Sequence, residues 1–220
     1  MKVLILIVSI VCMTHSFKGQ QELKSTGLFS LGARTTFSFF DHHGGSMGTG
    51  AGGQFRIQFS ERINTEWYLD YLSSQTDNMI GRKDLHIGWS VFYYYLKNNS
   101  SSEKLLQPFF EIGHCFDHTF VNEIGTNNFA ERWSSAVQIG TGNSFNVTSR
   151  FDITSKVQYM IHIGSDITAE NTAGHEHASI VAHDHTRVTI TEHNGVDLEG
   201  HLLCTISLNY KIGNLWKSKK

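Results

Sequence analysis

The residues with the clearest capacity for chemistry are two His-acid-His units, His175-Glu176-His177 and His183-Asp184-His185. Residues i and i+2 of an extended strand point to the same side, so each unit can present two imidazoles to one ion. Two units facing each other across a hairpin would complete a tetrahedral set, and neutral imidazole suits Zn²⁺, Cu²⁺ or Ni²⁺. We therefore predict a transition-metal site at His175, His177, His183 and His185. The alternative is a polar, solvated loop with weak, adventitious metal affinity.

Composition limits the classes of protein that could carry such a loop. The chain has 220 residues, 40% of them apolar, and a formal net charge of −2. That balance excludes a basic footprint for nucleic acid, and the apolar content argues against wholesale disorder. One proline and an aromatic content of 12% favour a chain spent mostly in paired strands.

The first residues have the pattern of a secretory signal peptide. Lys2 is followed by an apolar run over 3–13, broken by Ser9, and then by small residues that predict cleavage after Ser16. We therefore assign 1–16 as a cleaved signal peptide, because the run is far shorter than the roughly 20 residues of a membrane-spanning helix. The mature chain keeps Cys115 and Cys204, which could form one disulfide or remain two buried thiols.

The body of the chain alternates apolar and polar residues with a period of two in eight segments. The predicted links alternate as well, with shorter ones at 60–64, 97–103 and 142–150 and longer ones at 41–53, 73–84, 117–130 and 165–197. Short turns at one end and long loops at the other are typical of membrane barrels. We therefore predict an all-β fold, an eight-stranded antiparallel up-and-down transmembrane β-barrel.

Alternation alone does not say which face points outward, and a soluble ligand-carrying barrel would place the apolar face inside. The polar face has few lysines but recurring charges of both signs, which would pair inside a narrow lumen; they are Arg34, Arg56, Glu66, Asp70, Glu111, Arg132, Asp152 and Lys156. The apolar face has amphipathic rings suited to a lipid–water boundary, namely Trp67, Trp89, Tyr93, Tyr95, Trp133, Tyr159 and Tyr210. Both features favour contact with membrane lipid over a soluble barrel.

Two stretches resemble small outer-membrane barrels of Gram-negative bacteria. The segment 107–113, Gln-Pro-Phe-Phe-Glu-Ile-Gly, is similar to the fifth strand of the OmpA- and OmpX-like class, and 151–164 followed by 197–203 resembles outer-membrane barrel proteins of Bacteroidetes. The resemblance implies a barrel domain over 24–212, location in the bacterial outer membrane, and insertion by the barrel-assembly machinery. The chain differs in its basic tail, 213–220, where such proteins usually end on an aromatic residue. Either the assembly signal is internal, or the tail stays in the periplasm.

The function expected from these features is that of a non-enzymatic envelope protein, with no catalytic residues and no nucleic-acid partner. Its barrel would serve as an anchor, for envelope integrity or for surface interaction through external loops with a partner that the sequence does not specify. Metal capture by the His-rich loop at 165–197 is one alternative. The resemblance implies another, because some barrels of this class modify lipid A with a rim His and Ser. Here His162, Ser165 and Asp166 have the wrong spacing for that pattern.

Overall fold

A computed structural model describes residues 26–40, 47–96, 106–171 and 188–216. Eight antiparallel strands follow one another around a closed barrel, so every strand pairs with its neighbours in sequence and β1 pairs with β8. Their bounds are β1 Leu28–Phe40, β2 Met47–Gln58, β3 Ile63–Thr76, β4 Ile80–Tyr94, β5 Leu106–Glu123, β6 Phe129–Asn146, β7 Phe151–Asn171 and β8 Val188–Asn214. The predicted fold class is confirmed. No helix in the described ranges is long and apolar enough to cross a bilayer.

The barrel is apolar outside and polar inside. In β3, Trp67, Leu69 and Tyr71 are each nearly half exposed, whereas Glu66 and Asp70 between them are buried. The same alternation runs along the other strands, since neighbouring side chains of a strand point to opposite faces. The predicted lumen charges are all buried, and the predicted aromatic residues of the other face are all exposed. A soluble barrel with an apolar interior is therefore wrong for this chain.

The two ends of the barrel differ from the predicted pattern of links. At one end, here called the turn end, 59–62 joins β2 to β3 and 147–150 joins β6 to β7. At the other, here called the hairpin end, β3 and β4 are joined by only 77–79, where Asp77 and Asn78 both have positive φ. Asp and Asn tolerate that conformation, and Met79 N–H donates to the Thr76 carbonyl at 3.1 Å to close a tight turn. The predicted long loops at 73–84 and 117–130 are wrong, because the strands themselves continue to the turns.

The predicted first loop, 41–53, is also too long, because β2 begins at Met47. The glycine-rich run there is strand, with Gly50 and Gly52 on the lumen face. A Cβ at Gly50 would meet the backbone of Leu72, and one at Gly52 would meet Asp70. These glycines therefore leave room for larger side chains on β3.

β7 and β8 form the longest hairpin, with 21 and 27 residues. They pair beyond the predicted start of the His-rich loop, through Asn171 and Val188, after an irregularity between Gly164 and Asp166. The predicted loop at 165–197 is therefore shortened to 172–187, which lies outside the described residues.

The last strand and the residues that follow it lie at the turn end of the barrel. β8 includes Gly213 and Asn214, which the sequence placed in the tail, and Trp216 packs against Phe59 with ring centroids 5.9 Å apart. The signal peptide and residues 217–220 lie outside the described residues. Cys115 is buried and Cys204 is partly exposed, and both are free thiols.

Candidate functional site

The lumen near its middle holds a network of ion pairs centred on Glu66. This carboxylate accepts hydrogen bonds from Arg34 at 3.0 Å, from Arg56 at 2.6 Å and from Lys156 at 2.8 Å. Lys156 also donates to Glu111 at 3.1 Å. These side chains come from five strands, so the network connects most of the barrel wall.

Two further carboxylates extend the network in opposite directions. Asp70 lies 3.1 Å from Nε of Arg34, and Asp152 lies 3.5 Å from Arg56 toward the turn end. Asp152 also accepts a 2.8 Å hydrogen bond from Asn209. Charge is thus paired throughout a region where an unpaired ion would be very costly. The predicted pairing of lumen charges is confirmed for Arg34, Arg56, Glu66, Asp70, Glu111, Asp152 and Lys156.

Aromatic and apolar side chains fill the space around these ions. Arg34 lies over the Tyr68 ring at 4.2 Å, and Phe92 stacks on Phe109 with centroids 4.4 Å apart. A buried apolar cluster follows toward the hairpin end: Tyr68, Leu72, Cys115, Ala136, Met160 and Leu203. A second one lies at the hairpin end: Ile80, Val121, Ala130, Ile167 and Val188. Among the described residues, these clusters occupy the lumen between the ion network and the hairpin end.

A layer of imidazoles lies between the two apolar clusters. His86 on β4, His162 on β7 and His201 on β8 are each about 1% exposed. Asp117 on β5 lies 3.3 Å from both His86 and His162. The Thr119 hydroxyl lies 2.9 Å from a carboxylate oxygen of Asp117 and from one of Asp84, so its single proton can bond to either. The alternation of the sequence predicts that His86 and His162 face inward, but it places Asp117 in the link 117–130 and does not assign His201 to the lumen. Nothing in it indicates that these residues meet.

The outer surface offers a broad apolar belt instead of a pocket. It carries exposed aliphatic residues such as Ile112 and Ile139 between aromatic residues nearer the two ends. Tyr93, Tyr95, Tyr210 and Trp216 lie toward the turn end, and Trp133 lies toward the hairpin end. This arrangement matches the hydrocarbon band and flanking aromatic girdles of membrane barrels.

One polar pair interrupts the belt on β5 and β6. His114 Nε2 lies 2.7 Å from the Ser135 hydroxyl, and the His114 ring packs edge-on against Phe116. A hydrogen bond between the two removes much of the cost of placing polar groups in lipid. Nucleophilic catalysis would also require a group that orients the histidine. In the described ranges no carboxylate contacts His114.

The predicted site residues fall in different places. His175, His177, His183 and His185 lie outside the described residues, so the metal site there stays a prediction. His162 is not at the rim beside lipid but inside the lumen, where its Nδ1 lies 3.2 Å from the Ser134 hydroxyl. It therefore does not form the rim site that the lipid-modifying alternative requires. In the described ranges no group of three or more His, Cys, Asp or Glu side chains is already placed to hold a metal ion.

The barrel is similar to solved structures of outer-membrane proteins. The crystal structure of Neisserial surface protein A superposes with a TM-score of 0.54 at 15% identity, covering 84% of this chain and 97% of that one. The chain has the fold of a small outer-membrane β-barrel. Two lower-scoring matches are OprG from Pseudomonas aeruginosa, with a TM-score of 0.49, 14% identity and coverage of 88% and 100%, and Ail of Yersinia pestis, with 0.48, 11% identity and coverage of 87% and 100%. No family model and no curated protein matches the sequence.

Proposed function

We propose that this protein is inserted in the outer membrane of a Gram-negative bacterium as a non-enzymatic, non-conducting barrel that presents its hairpin end to the exterior. The observation that supports it most is the inverted distribution of polarity, with buried ions inside and exposed apolar side chains outside. That distribution is stable in lipid, where the outer side chains face apolar surroundings. A closed barrel also satisfies its own backbone hydrogen bonds, as a membrane-spanning structure must.

The filled lumen supports an anchoring role rather than transport. Glu66, Lys156 and Arg34 occupy the centre of the barrel, and apolar clusters lie between them and the hairpin end. An eight-stranded barrel is just wide enough for its own side chains. We therefore propose that interaction with an external partner takes place at the hairpin end, where the segment 172–187 links β7 to β8.

The non-enzymatic assignment rests on the position of His162. Its side chain is about 1% exposed and is held by Asp117 and Ser134. A lipid ester outside the barrel cannot reach it without opening the wall. The remaining histidine–serine pair, His114 with Ser135, has no orienting carboxylate among its described contacts.

Cysteine labelling of cells tests both the location and the orientation. Asn127 is exposed at the hairpin end and Ser149 is exposed at the turn end. In a chain whose Cys115 and Cys204 are replaced by alanine, a membrane-impermeant maleimide should label Asn127→Cys in intact cells. It should label Ser149→Cys only after permeabilisation. The reverse pattern would overturn the orientation, and recovery of unlabelled protein from the soluble periplasmic fraction would overturn the membrane location.

A further inference from the structure

The imidazole layer contains two nitrogen atoms at a separation that suits metal coordination. Nε2 of His162 lies 3.3 Å from Nε2 of His201. Zinc binds histidine nitrogen at about 2.0–2.1 Å, so two nitrogens on one tetrahedral ion lie roughly 3.3–3.4 Å apart. The two nitrogens are also within hydrogen-bonding distance of each other, with the donor set by the tautomers of the two rings. The separation of the two nitrogens therefore matches that of two ligand atoms on one tetrahedral ion.

Asp117 orients the ring that provides one of these nitrogens. Its Oδ2 lies 3.3 Å from Nδ1 of His162, on the opposite side of the ring from Nε2. A carboxylate bonded to the far nitrogen of a histidine fixes the tautomer and makes the near nitrogen a better ligand. Ser134 faces the same Nδ1 at 3.2 Å. Nε2 of His162 is thereby left to face His201.

His86 is the third imidazole within reach. Its ring centroid lies 6.0 Å from that of His201 and 6.3 Å from that of His162, while the His162 and His201 centroids are 4.7 Å apart. Three imidazoles on one tetrahedral ion have centroids about 5.2 Å apart, given the same bond lengths. A shift of the His86 ring by roughly 1 Å therefore completes the set. Its Nε2 lies 3.3 Å from Oδ1 of Asp117, and its Nδ1 makes no hydrogen bond within the described residues.

We propose that His86, His162 and His201 bind one divalent transition ion of the class that prefers imidazole, with Zn²⁺ as the reference ion. Two of the donors are in place and the third moves, which agrees with the lack of a complete preformed set. The ion would also supply positive charge beside Asp117, which is fully buried. This site is distinct from the predicted one at His175, His177, His183 and His185.

The surroundings favour retention of a bound ion. One apolar cluster, containing Met160 and Leu203, lies on the turn-end side of the imidazoles, and the other, containing Val121 and Ile167, lies on the hairpin-end side. Exclusion of water strengthens the interaction of a cation with its ligands. We therefore expect loading during folding and slow exchange afterwards.

The test uses a background in which His175, His177, His183 and His185 are all replaced by glutamine. This loop variant and its derivatives are refolded into detergent with Zn²⁺, freed of excess ion by gel filtration, and analysed for zinc by mass spectrometry. Heat-modifiable gel mobility confirms folding. We expect about one zinc per chain in the loop variant and in the matched control His118→Gln, whose ring lies on the outer surface against Trp133.

The lumen substitutions should then remove the ion. We expect His201→Gln and His162→Gln to bind Zn²⁺ at least tenfold more weakly, and Asp117→Asn to weaken it by about 10–100-fold, the usual range for a residue that orients a ligand. Absence of stoichiometric zinc in the loop variant, or unchanged zinc in a folded His201→Gln, would overturn the proposal. If the His201→Gln chain does not refold, X-ray absorption at the zinc edge of the loop variant decides: a shell with three imidazole nitrogens supports the site, and an oxygen-only shell overturns it.

Discussion

Glu66 on β3 and Lys156 on β7 are joined by a 2.8 Å ion pair across the full width of the lumen. The two strands are four positions apart in a closed barrel of eight, so they form opposite walls. Arg34 and Arg56 reach the same carboxylate from β1 and β2. Glu66 is therefore the acceptor for three cations, and its loss would leave all three in a buried site with fewer partners.

Replacing Glu66 with glutamine should destabilise the barrel strongly. Breaking a buried pair by removing one partner costs about 3–5 kcal/mol, because it leaves uncompensated buried charge. The free energy of unfolding can be measured by guanidinium titration in detergent micelles, followed by tryptophan fluorescence. The control is Glu131→Gln, whose carboxylate is 58% exposed and pairs with His118 at 3.5 Å. An exposed pair of that kind contributes about 0–1 kcal/mol. Equal losses for the two variants would refute the central role of Glu66.

The same network predicts that the barrel does not conduct ions. Purified protein reconstituted into planar lipid bilayers should give no stable current steps, because side chains and paired charges occupy the lumen. An eight-stranded barrel has a narrow diameter that its own side chains can fill. The Glu66→Gln chain should be measured in the same bilayers, because loss of these ion pairs is the change most expected to loosen the packing of side chains in the lumen. Regular, reproducible current steps in the unaltered protein would show that the lumen opens.

The strands and the inward charges were predictable from sequence because a period of two is a local property. Arg56 and Glu66 needed only their places in the alternation to be assigned to the lumen. The pattern does not predict the hairpin at Asp77-Asn78, although both residue types tolerate positive φ, because the polar residues around it are typical of a loop. Where a strand continues beyond the apolar belt, its outward-facing residues are no longer apolar. The alternation of apolar and polar residues, by which strands are predicted, is then absent.

The imidazole layer could not be predicted, because it depends on register around the barrel. His86, His162 and His201 lie on three strands, and their meeting depends on how far each strand is shifted relative to its neighbours. Turn lengths and the irregularity after Gly164 set that shift. The histidines of the seventh loop, in contrast, are visible as a cluster in the sequence because they are close together along the chain.

The outer histidine–serine pair gives a direct test of the non-enzymatic assignment. Lipid A extracted from cells that express the protein should have the same mass profile as lipid A from cells that do not, because His114 lacks an orienting carboxylate among its described contacts. The profile is measured by mass spectrometry. Loss or gain of an acyl chain that disappears in Ser135→Ala would instead identify a lipid-modifying enzyme.

The lipid-facing belt predicts a position-dependent cost for added charge. Ile139 is 50% exposed on the outer face of β6, well inside the belt. Its replacement by arginine should lower the free energy of unfolding in lipid vesicles by about 2–4 kcal/mol, the cost of arginine near the bilayer midplane. Val147, in the turn that follows the same strand, is 56% exposed and should tolerate arginine at about 0–1 kcal/mol. A soluble barrel would tolerate both, so equal small effects would count against the membrane location.

Two adjacent glycines of β2 should respond oppositely to alanine. A Cβ at Gly52 would collide with the Leu69 carbonyl and the Asp70 carboxylate, whereas the nearest atom to a Cβ at Gly53 is the Gly32 carbonyl oxygen at 3.8 Å. Gly52→Ala should therefore cost about 1–3 kcal/mol, as overpacking usually does, and it also displaces Asp70 from Arg34. Gly53→Ala should be neutral or stabilising by about 0.5–1 kcal/mol, since alanine loses less backbone entropy on folding. Guanidinium unfolding of the two variants in the same micelles measures the difference. If Gly52→Ala proved as stable as Gly53→Ala, the close packing of β2 against β3 in the lumen would be wrong.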